Sequence, residues 1–327
     1  MVTLDDVARL AGVSSATVSR TLSRPQMVAA STREAVRSAA ERLGYQHNAS
    51  ARALATGRTM LIGFSVPSLA SSYFPPLIAG AQNRAEAAGY DLVVADSRSD
   101  PQREASQLAR LRGRVDAVLL AGTRLADPHL AELADAIPVV TFNRVVPDVP
   151  SVAIDTAPAF AELGRRLREG GHLRVAYVGG PAGSAADGAR LSSLTAGFGQ
   201  AVEVFGPVEP TFGAGVEVAD LLAPTGVTAA VAYNGLLALG LMHGLGTRGR
   251  RIPEDFTVAA GDDLIGSAQA LSSLMTVLQP VEEAGRDMVD IVLAQLDSTA
   301  PESAATPRRT LTARADMSRD PEREDPS

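Results

Sequence analysis

The sequence predicts an all-α head followed by an α/β body that is built as two doubly wound parallel-sheet lobes. Helical periodicity and glycine stops fill the first 57 residues, whereas short apolar runs alternate with longer helical patterns from Met60 onwards. The net charge divides at the same place, because residues 1–60 carry +4 and the remainder carries −11. With 327 residues, 46% of them apolar, the chain is long enough for two or three domains.

Two short helical patterns at the N-terminus are separated by a glycine. The first follows Thr3 and spaces its apolar residues at i, i+3, i+4 and i+7, at Leu4, Val7, Ala8 and Ala11. Gly12 supplies a tight turn, and Ser14 is a natural N-cap for a second helix, Ser15–Leu22. The outer face of that helix is small and polar. This arrangement is typical of a helix-turn-helix, whose second helix reads the major groove of DNA.

A third helix is predicted from the run STRE at positions 31–34, which has the spacing of a capping box. Its apolar stripe is expected at Ala35, Val36, Ala39, Ala40 and Leu43, and Gly44 is placed to end it. Asn48 then precedes a short pattern, Ala49–Ala55, which Gly57 ends. Because so short a helix is marginal in water, we expect this segment to be disordered away from DNA.

The runs TLDDVARLAGVSSATVSRTL, STREAVRSAAERLGY and NASARALATGRTMLIG resemble the head and hinge of the LacI/GalR family of bacterial transcriptional regulators. The order of these runs and the spacing of their residues match the family across the whole head without gaps. The alternative is a generic three-helix domain. The resemblance implies a sequence-specific regulator, in the first place a repressor. It also implies a homodimer on double-stranded, pseudo-palindromic operator DNA, since one head covers only one half-site.

The resemblance carries base reading onto Ser15, Ala16 and Arg20, with Thr17 and Ser19 nearby. Arg20 has the geometry to pair bidentately with a guanine edge, and a phosphate clamp is its alternative role. Contacts to the DNA backbone are expected from other residues of the head, and the full set of candidates is completed by Thr3, Ser14, Thr32, Tyr45 and Asn48.

The hinge of the family folds in the minor groove, where a leucine opens a central base step. Leu54 occupies that position in this sequence, with Arg52 alongside. An ordinary apolar linker residue is the alternative interpretation of Leu54.

Beyond the head, apolar runs alternate with helical patterns and predict parallel sheets. The candidate strands are Leu61–Val66, Leu92–Ala95, Val115–Leu120, Val139–Phe142, Val175–Val178, Val227–Ala232, Thr257–Ala260 and Met275–Leu278, with a last one near Arg309–Ala313. Helices are expected between them, for example at Pro76–Gly89, Pro101–Arg112, Ala157–Glu169 and Leu236–Leu245.

The body resembles the sensor of the same family, which has the fold of periplasmic sugar-binding proteins. The runs LIGFSVPSLASSYFPPLIAGA, PVVTFNR, AVAYNGLLALGLMHGLG and IPEDFTVAAGDDL carry this resemblance. It implies a helix-turn-helix domain at 1–46, a hinge and linker at 47–58, and an effector-binding and dimerisation domain at 59–320. The lobes are expected at about 59–155 plus 281–306 and about 156–280 plus 307–320, with a disordered tail at 321–327.

A small-molecule effector, a sugar or related metabolite, is expected in the cleft between the lobes, at the carboxyl ends of the strands. Apart from Arg190, the candidate contacts lie at or after the ends of predicted strands. Core packing is the alternative role for the two aromatic candidates. The candidates are Tyr73, Phe74, Asn143, Arg190, Asn234, Asp262 and Gln279.

Several positions depart from the family pattern. The arginine that usually clamps the effector falls on Leu194, so Arg190, one helical turn away, is its candidate replacement. Gly235 stands where the family usually has aspartate, and Ser71 and Ser72 replace an Asn-Pro pair. These departures leave three possibilities for the effector, which are a less polar ligand, an unusual sugar, or none. The direction of the effector's effect on operator affinity also stays open, because a corepressor that tightens operator binding fits the sequence as well as an inducer.

No catalytic, cofactor or metal site is predicted. The glycine-rich run 179–184 lacks the lysine of a phosphate loop, Asp262 and Asp263 have no third metal ligand at suitable spacing, and cysteine is absent. No signal peptide or apolar span is present, so we expect a cytoplasmic protein without membrane association. A solute-binding protein without DNA function is the alternative to a regulator.

Overall fold

The computed structural model describes residues 2–23, 27–45, 57–263, 274–297 and 306–316. These residues fall into two compact units that divide after Met60, with the short segment Arg114–Asp116 joining the first unit. Each unit is described by itself.

The head contains three helices in its described part: α1 (Leu4–Ala11), α2 (Ser15–Ser23) and α3 (Ala30–Leu43). Thr3, which the sequence places just before α1, is its N-cap, and Gly12 ends the helix in the left-handed conformation with φ of 68°. The core is small and consists of Val7, Ala8, Val18, Val36 and Ala39, all of which are buried.

The predicted capping box of α3 is wrong. The helix begins at Ala30, and its N-cap, Ala29, makes no side-chain capping hydrogen bond. The amide of Arg33 already donates to the Ala29 carbonyl at 3.0 Å, so Ser31 lies inside the helix instead of before it. A serine caps only from an extended position outside the first turn. Ala35 is also exposed, so the apolar stripe is narrower than expected.

The second unit contains two sheets, whose strands are numbered in chain order. The first sheet contains β1 (Leu61–Val66), β2 (Asp91–Asp96), β3 (Ala117–Ala121), β4 (Val139–Phe142), β5 (Ser151–Asp155) and β11 (Arg308–Thr312). All its pairings are parallel, in the order β11-β5-β4-β3-β1-β2. The helices in the same lobe are α4 (Phe74–Ala87), α5 (Pro101–Leu111), α6 (Asp127–Ala136) and α11 (Val281–Asp297).

The second sheet contains β6 (Val175–Val178), β7 (Glu203–Phe205), β8 (Ala229–Ala232), β9 (Thr257–Ala260), β10 (Leu274–Leu278) and β12 (Arg314–Asp316). Its order is β12-β10-β9-β8-β6-β7, and only the pairing of β12 with β10 is antiparallel among the described strands. Its helices are α7 (Ala157–Glu169), α8 (Ala185–Phe198), α9 (Phe212–Leu222) and α10 (Gly235–Thr247). The prediction of two doubly wound lobes is confirmed.

The chain crosses between the lobes after β5, after β10 and again at Ala313, between β11 and β12. The expected return to the second lobe at residue 307 is wrong, because 308–312 pairs with β5 in the first sheet. The strands at 151–155, 203–205 and 314–316 were not among the candidates. The last two contain only three residues each and lie at sheet edges, where no long apolar run marks a strand.

Close backbone contact fixes α8 against α7. An ideal Cβ on Gly197 would lie 1.9 Å from the Ala161 carbonyl oxygen, and one on Gly164 would lie 2.3 Å from that of Leu194. Leu194 is itself fully buried. Position 194 therefore belongs to the packing of these two helices and not to an open surface.

No helix in the described part of the chain is long and apolar enough to span a bilayer.

Candidate DNA-reading surface and effector cleft

The helix α2 presents the small polar face that the sequence predicts. Ala16, Ser19 and Arg20 are exposed, Ser15 and Thr17 are half-buried, and the packing residue of this helix, Val18, is fully buried. An exposed arginine and small neighbours leave room for a base pair to approach the helix.

Two candidate backbone-contacting residues also hold the helix starts. The Ser14 hydroxyl accepts from the Thr17 amide at 3.1 Å, which caps α2. Thr3 accepts from the Asp6 amide at 3.4 Å, and its own amide donates to the Asp6 carboxylate at 2.9 Å. This bond from the Thr3 backbone lowers the pKa of Asp6 below its usual value. The start of each helix is therefore ordered before DNA arrives.

The remaining DNA candidates divide into two groups. Thr32 is half-buried on α3, and the Tyr45 amide donates to the Ala40 carbonyl at 2.9 Å where α3 ends. The hinge candidates Asn48, Arg52 and Leu54 lie outside the described residues. Minor-groove binding by the hinge therefore stays a prediction.

A chain of side-chain hydrogen bonds crosses the cleft of the second unit. The Asn143 carbonyl oxygen accepts from the Ile154 amide at 2.8 Å, and its amino group donates to the Tyr73 hydroxyl at 3.4 Å. Tyr73 donates to Gln279 at 2.8 Å, and the Gln279 amino group donates to the Gly261 carbonyl at 2.8 Å. Three of the predicted effector residues are thus brought together between the first sheet and the second.

Aromatic rings form one wall beside this chain of bonds. Tyr73 packs edge-to-face on Phe74 with ring centroids 5.4 Å apart, and it stacks on Phe142 at 6.3 Å. Burial raises the pKa of the Tyr73 phenol above its usual value, so the group stays a hydroxyl donor. Phe74 is half-buried, which is consistent with both packing and partial access to a ligand.

Arg190 lies on the second-lobe side and is only 6% exposed. Its guanidinium carbon is 4.7 Å from the Tyr233 ring centroid and 5.5 Å from that of Phe160, a cation–π arrangement. Nη1 donates to the Tyr233 carbonyl at 3.0 Å, while the buried Nε has no partner among the described residues. Among the five N–H donors of the guanidinium, this Nε–H is therefore left for another partner.

Asp262 is 7% exposed and accepts a 2.7 Å hydrogen bond from the Gly235 amide at the start of α10. Burial raises the pKa of this carboxyl to about 6, against the opposing effects of the Gly235 bond and of Arg190. Asn234 caps the same helix, because its side-chain oxygen accepts from the Leu237 amide at 3.0 Å. A local structural role therefore accounts for Asn234.

A cavity of about 340 Å³ opens beside these groups. Tyr73, Asp262 and Gln279 line it, whereas Phe74, Asn143, Arg190 and Asn234 do not. Sequence reasoning considered Asp263 only as a metal ligand, and it missed the other charged residues of the lining, which are Glu282, Glu283 and Arg286. For Glu282 and Glu283 the sequence signal is the acidic pair itself, and such a pair is common at the first turn of any helix.

The head and body together define a class of protein, a helix-turn-helix DNA-binding unit that precedes a two-lobed ligand sensor in one chain. Residues 3–48 match the model of the bacterial regulatory proteins of the lacI family. Residues 59–315 match the model of periplasmic binding proteins and the sugar-binding domain of the LacI family. The chain belongs to the LacI family of bacterial transcriptional regulators.

Curated relatives match over nearly the whole chain. The regulator CelR of Thermobifida fusca is 33% identical over 317 residues, covering 90% of this chain and 92% of CelR. Catabolite control protein A of Streptococcus mutans is 31% identical and covers 87% of this chain and 88% of its own. The repressor CytR of Escherichia coli is 30% identical, with 90% and 89% covered. All three are regulatory proteins.

Solved structures agree with this assignment. The lac repressor dimer bound to operator and the anti-inducer ONPF has a TM-score of 0.80 and 27% identity, covering 96% of this chain and 97% of that one. The CelR–cellobiose complex has a TM-score of 0.69 and 29% identity, with 97% and 98% covered. The chain is thus a DNA-binding transcriptional regulator with a sensor of the sugar-binding type.

Proposed function

We propose that this protein represses transcription as a homodimer on a pseudo-palindromic operator, and that a ligand in the cleft between its lobes sets its operator affinity. The observation that carries the proposal is the hydrogen-bond chain through Asn143, Tyr73 and Gln279, which joins groups of both lobes. Because these bonds join the two lobes, a ligand that replaces them should bind one arrangement of the lobes more tightly than another. Only such a difference allows a ligand to shift a conformational equilibrium.

The ligand site is proposed at Tyr73, Asn143, Asp262 and Gln279, with Phe74 and Arg190 beside them. Amide, phenol, carboxylate and guanidinium groups together offer both donors and acceptors, as neighbouring hydroxyl groups require. The aromatic wall suits the apolar face of a sugar ring. The relatives whose structures contain cellobiose or ONPF support a carbohydrate-like effector. We assign Asn234 to helix capping and not to ligand contact.

Base reading is proposed for α2, with Arg20, Ser15 and Ala16 facing the major groove and Thr17 and Ser19 supporting them. Thr3, Ser14, Thr32 and Tyr45 are proposed to contact the DNA backbone, together with hinge residues Asn48, Arg52 and Leu54. The protein then acts where operator DNA lies, in the bacterial cytoplasm. No catalytic role is assigned, and the relatives named above are regulators.

Thermal-shift measurements with a carbohydrate panel test the ligand, followed by operator binding with and without each stabilising compound. A sugar that stabilises the wild type should change operator affinity, and the operator should change sugar affinity by the same factor, because coupling is reciprocal. Arg190→Met should lose the stabilisation, whereas Arg166→Met, at a half-buried ion pair with Glu162, should keep it.

A stabilising sugar without any effect on operator binding would reject allosteric control. A panel without a single hit would favour a regulator that has lost its effector, the alternative suggested by Leu194 and Gly235. Failure to bind any duplex in a salt-dependent manner would reject the DNA-binding role itself.

A further inference from the structure

Asp5 and Asp6 are neighbours at the start of α1 but have different partners. Asp6 completes the capping box with Thr3 and also accepts from Arg9 at 3.1 Å. Asp5 instead accepts a hydrogen bond from the hydroxyl of Ser15, the first residue of α2. Helix capping therefore explains Asp6, while the contact of Asp5 is with the helix that reads DNA.

We propose that Asp5 is a specificity-determining residue, which orients the Ser15 hydroxyl so that its oxygen accepts a hydrogen bond from an amino group of adenine or cytosine in the major groove. The inference rests on the proposed base-reading role of Ser15. It adds a residue of α1 to a reading surface that the sequence places on α2 alone.

The chemistry of the two groups sets the direction of the bond. An ionised carboxylate has no proton to donate, so Asp5 only accepts, and the single hydroxyl proton of Ser15 is directed towards it. The oxygen of Ser15 then presents its remaining lone pairs to other partners. In the major groove the available donors are the N6 amino group of adenine and the N4 amino group of cytosine, whereas guanine and thymine present acceptors.

The position of Ser15 fits this role. Ser15 is half-buried, the next residue, Ala16, is exposed, and the N-terminal residues of a recognition helix are those that reach base edges. An unconstrained serine discriminates poorly, because it donates or accepts with equal ease. The bond to Asp5 removes that freedom and makes the side chain selective.

The charge of Asp5 has a second effect. The carboxylate is exposed on the head, which approaches phosphate groups when DNA binds. A negative charge there opposes the electrostatic attraction that supplies non-specific affinity. Asp5 should therefore weaken binding to random DNA while it sharpens the choice of one base, and a purely structural residue would leave the base choice unchanged.

The test selects binding sites from a randomised duplex library with the full-length protein. The wild type is compared with Asp5→Ala, Asp5→Asn, Ser15→Ala and the double variant Asp5→Ala/Ser15→Ala. Glu41→Ala is the matched control, since it removes one exposed acid from α3. Melting temperatures check folding, and binding to a non-operator duplex is measured at two salt concentrations.

The wild type should prefer adenine or cytosine at one position of each half-site. Asp5→Ala and Ser15→Ala should each reduce that preference by roughly tenfold at the same position, and the double variant should lose no more. Asp5→Asn retains an acceptor oxygen, so it should keep more of the preference than Asp5→Ala, while both bind random DNA more tightly. Glu41→Ala should leave the selected motif unchanged.

Retention of the full preference by Asp5→Ala would overturn the inference, as would a loss at a position that Ser15→Ala does not affect. A uniform loss at all positions with a lower melting temperature would assign Asp5 to folding instead. If the wild type selected no motif, the proposed function would fail together with the inference. A wild-type motif that survives Asp5→Ala would remove the inference alone.

Discussion

The Tyr73 hydroxyl donates a 2.8 Å hydrogen bond to the side chain of Gln279, which is 206 positions further along the chain. Tyr73 precedes a helix of the first lobe, and Gln279 follows the strand β10 of the second sheet. Gln279 also donates to the Gly261 carbonyl, so the two bonds couple the first lobe to the second. Both side chains line the cavity, so we expect a ligand bound there to act on these bonds.

Removal of the Tyr73 hydroxyl should loosen the two lobes. Tyr73→Phe keeps the ring and its packing, but it leaves the Gln279 oxygen without this donor. We expect a loss of about 1 kcal/mol in the free energy of unfolding of the sensor. In the Gln279→Ala background the same change should cost clearly less, and equal costs in both backgrounds would show that the bond contributes nothing. Denaturant unfolding of the four proteins supplies the comparison.

The Asp262 carboxyl predicts a pH dependence of stability. Its pKa is raised from the usual 3.8 to about 6 by burial, so the folded state holds a proton that the unfolded state has lost within this range. The contribution of Asp262 is therefore greatest below pH 3.8 and is lost as the pH rises through about 6. Asp262→Asn should remove this dependence and stabilise the protein at pH 7 by up to roughly 3 kcal/mol.

Asp255 is the matched control for this titration because its shift has the opposite sign. Hydrogen bonds from Arg251 lower its pKa to about 2. Its contribution to stability is therefore present above pH 3.8 and lost as the pH falls towards 2. Above pH 6, Asp262→Asn should thus melt at a higher temperature than the wild type and Asp255→Asn at a lower one, and both differences should shrink as the pH falls towards 3. Identical profiles for wild type and Asp262→Asn would contradict the assignment.

The contact between α7 and α8 should tolerate no side chain at position 197. A Cβ there would lie 1.9 Å from the Ala161 carbonyl oxygen, so Gly197→Ala must push two helix backbones apart. We expect a destabilisation of about 1–3 kcal/mol. Gly188→Ala is the control on the same helix, because a Cβ there meets nothing within 4 Å. It should be neutral or slightly stabilising, and similar melting temperatures for both variants would refute the packing argument.

Loss of the Arg20 side chain should relax sequence choice more than it weakens binding overall. Arg20→Ala removes a potential bidentate contact to guanine, so discrimination at one position of each half-site should fall by about 1–3 kcal/mol. Titration of matched duplexes that differ at that position measures the change. An equal loss on operator and random DNA, with a shallower salt dependence, would identify Arg20 as a phosphate clamp.

The bounds of several strands and the first turn of the head were predictable, because each depends on residues that are neighbours in the sequence. The bounds of β1, β4, β6 and β9 agree with the predicted strands, since each is a short apolar run with turn signals on both sides. The turn at Gly12 was likewise predicted from neighbouring residues. The start of α3 was not predicted, because the helix extends back to Ala30 and its N-cap is Ala29, whose side chain cannot cap and gives no sequence signal.

The site was only partly predictable. Strand-end polar residues were recognised as candidates, and Asp262 and Gln279 do line the cavity. The same reasoning selected Asn234, which caps a helix, and it missed the acidic residues Glu282 and Glu283. A polar residue at the end of a strand either caps the next helix, as Asn234 does, or faces the cavity, as Asp262 and Gln279 do. The sequence alone does not separate these two roles, because they depend on how the following segment is placed in the fold.

The sequence by itself determined the helix-turn-helix head, the two doubly wound lobes and the family, because each rests on spacing within short segments. The tertiary structure decided that Arg190 is held between aromatic rings while Leu194 is buried in helix packing, although both lie on one helix. It also decided that Tyr73 meets Gln279 and that residues 308–312 extend the first sheet. The last two contacts join positions far apart in the chain, so they depend on how the crossovers between the lobes place the strands and not on any local pattern.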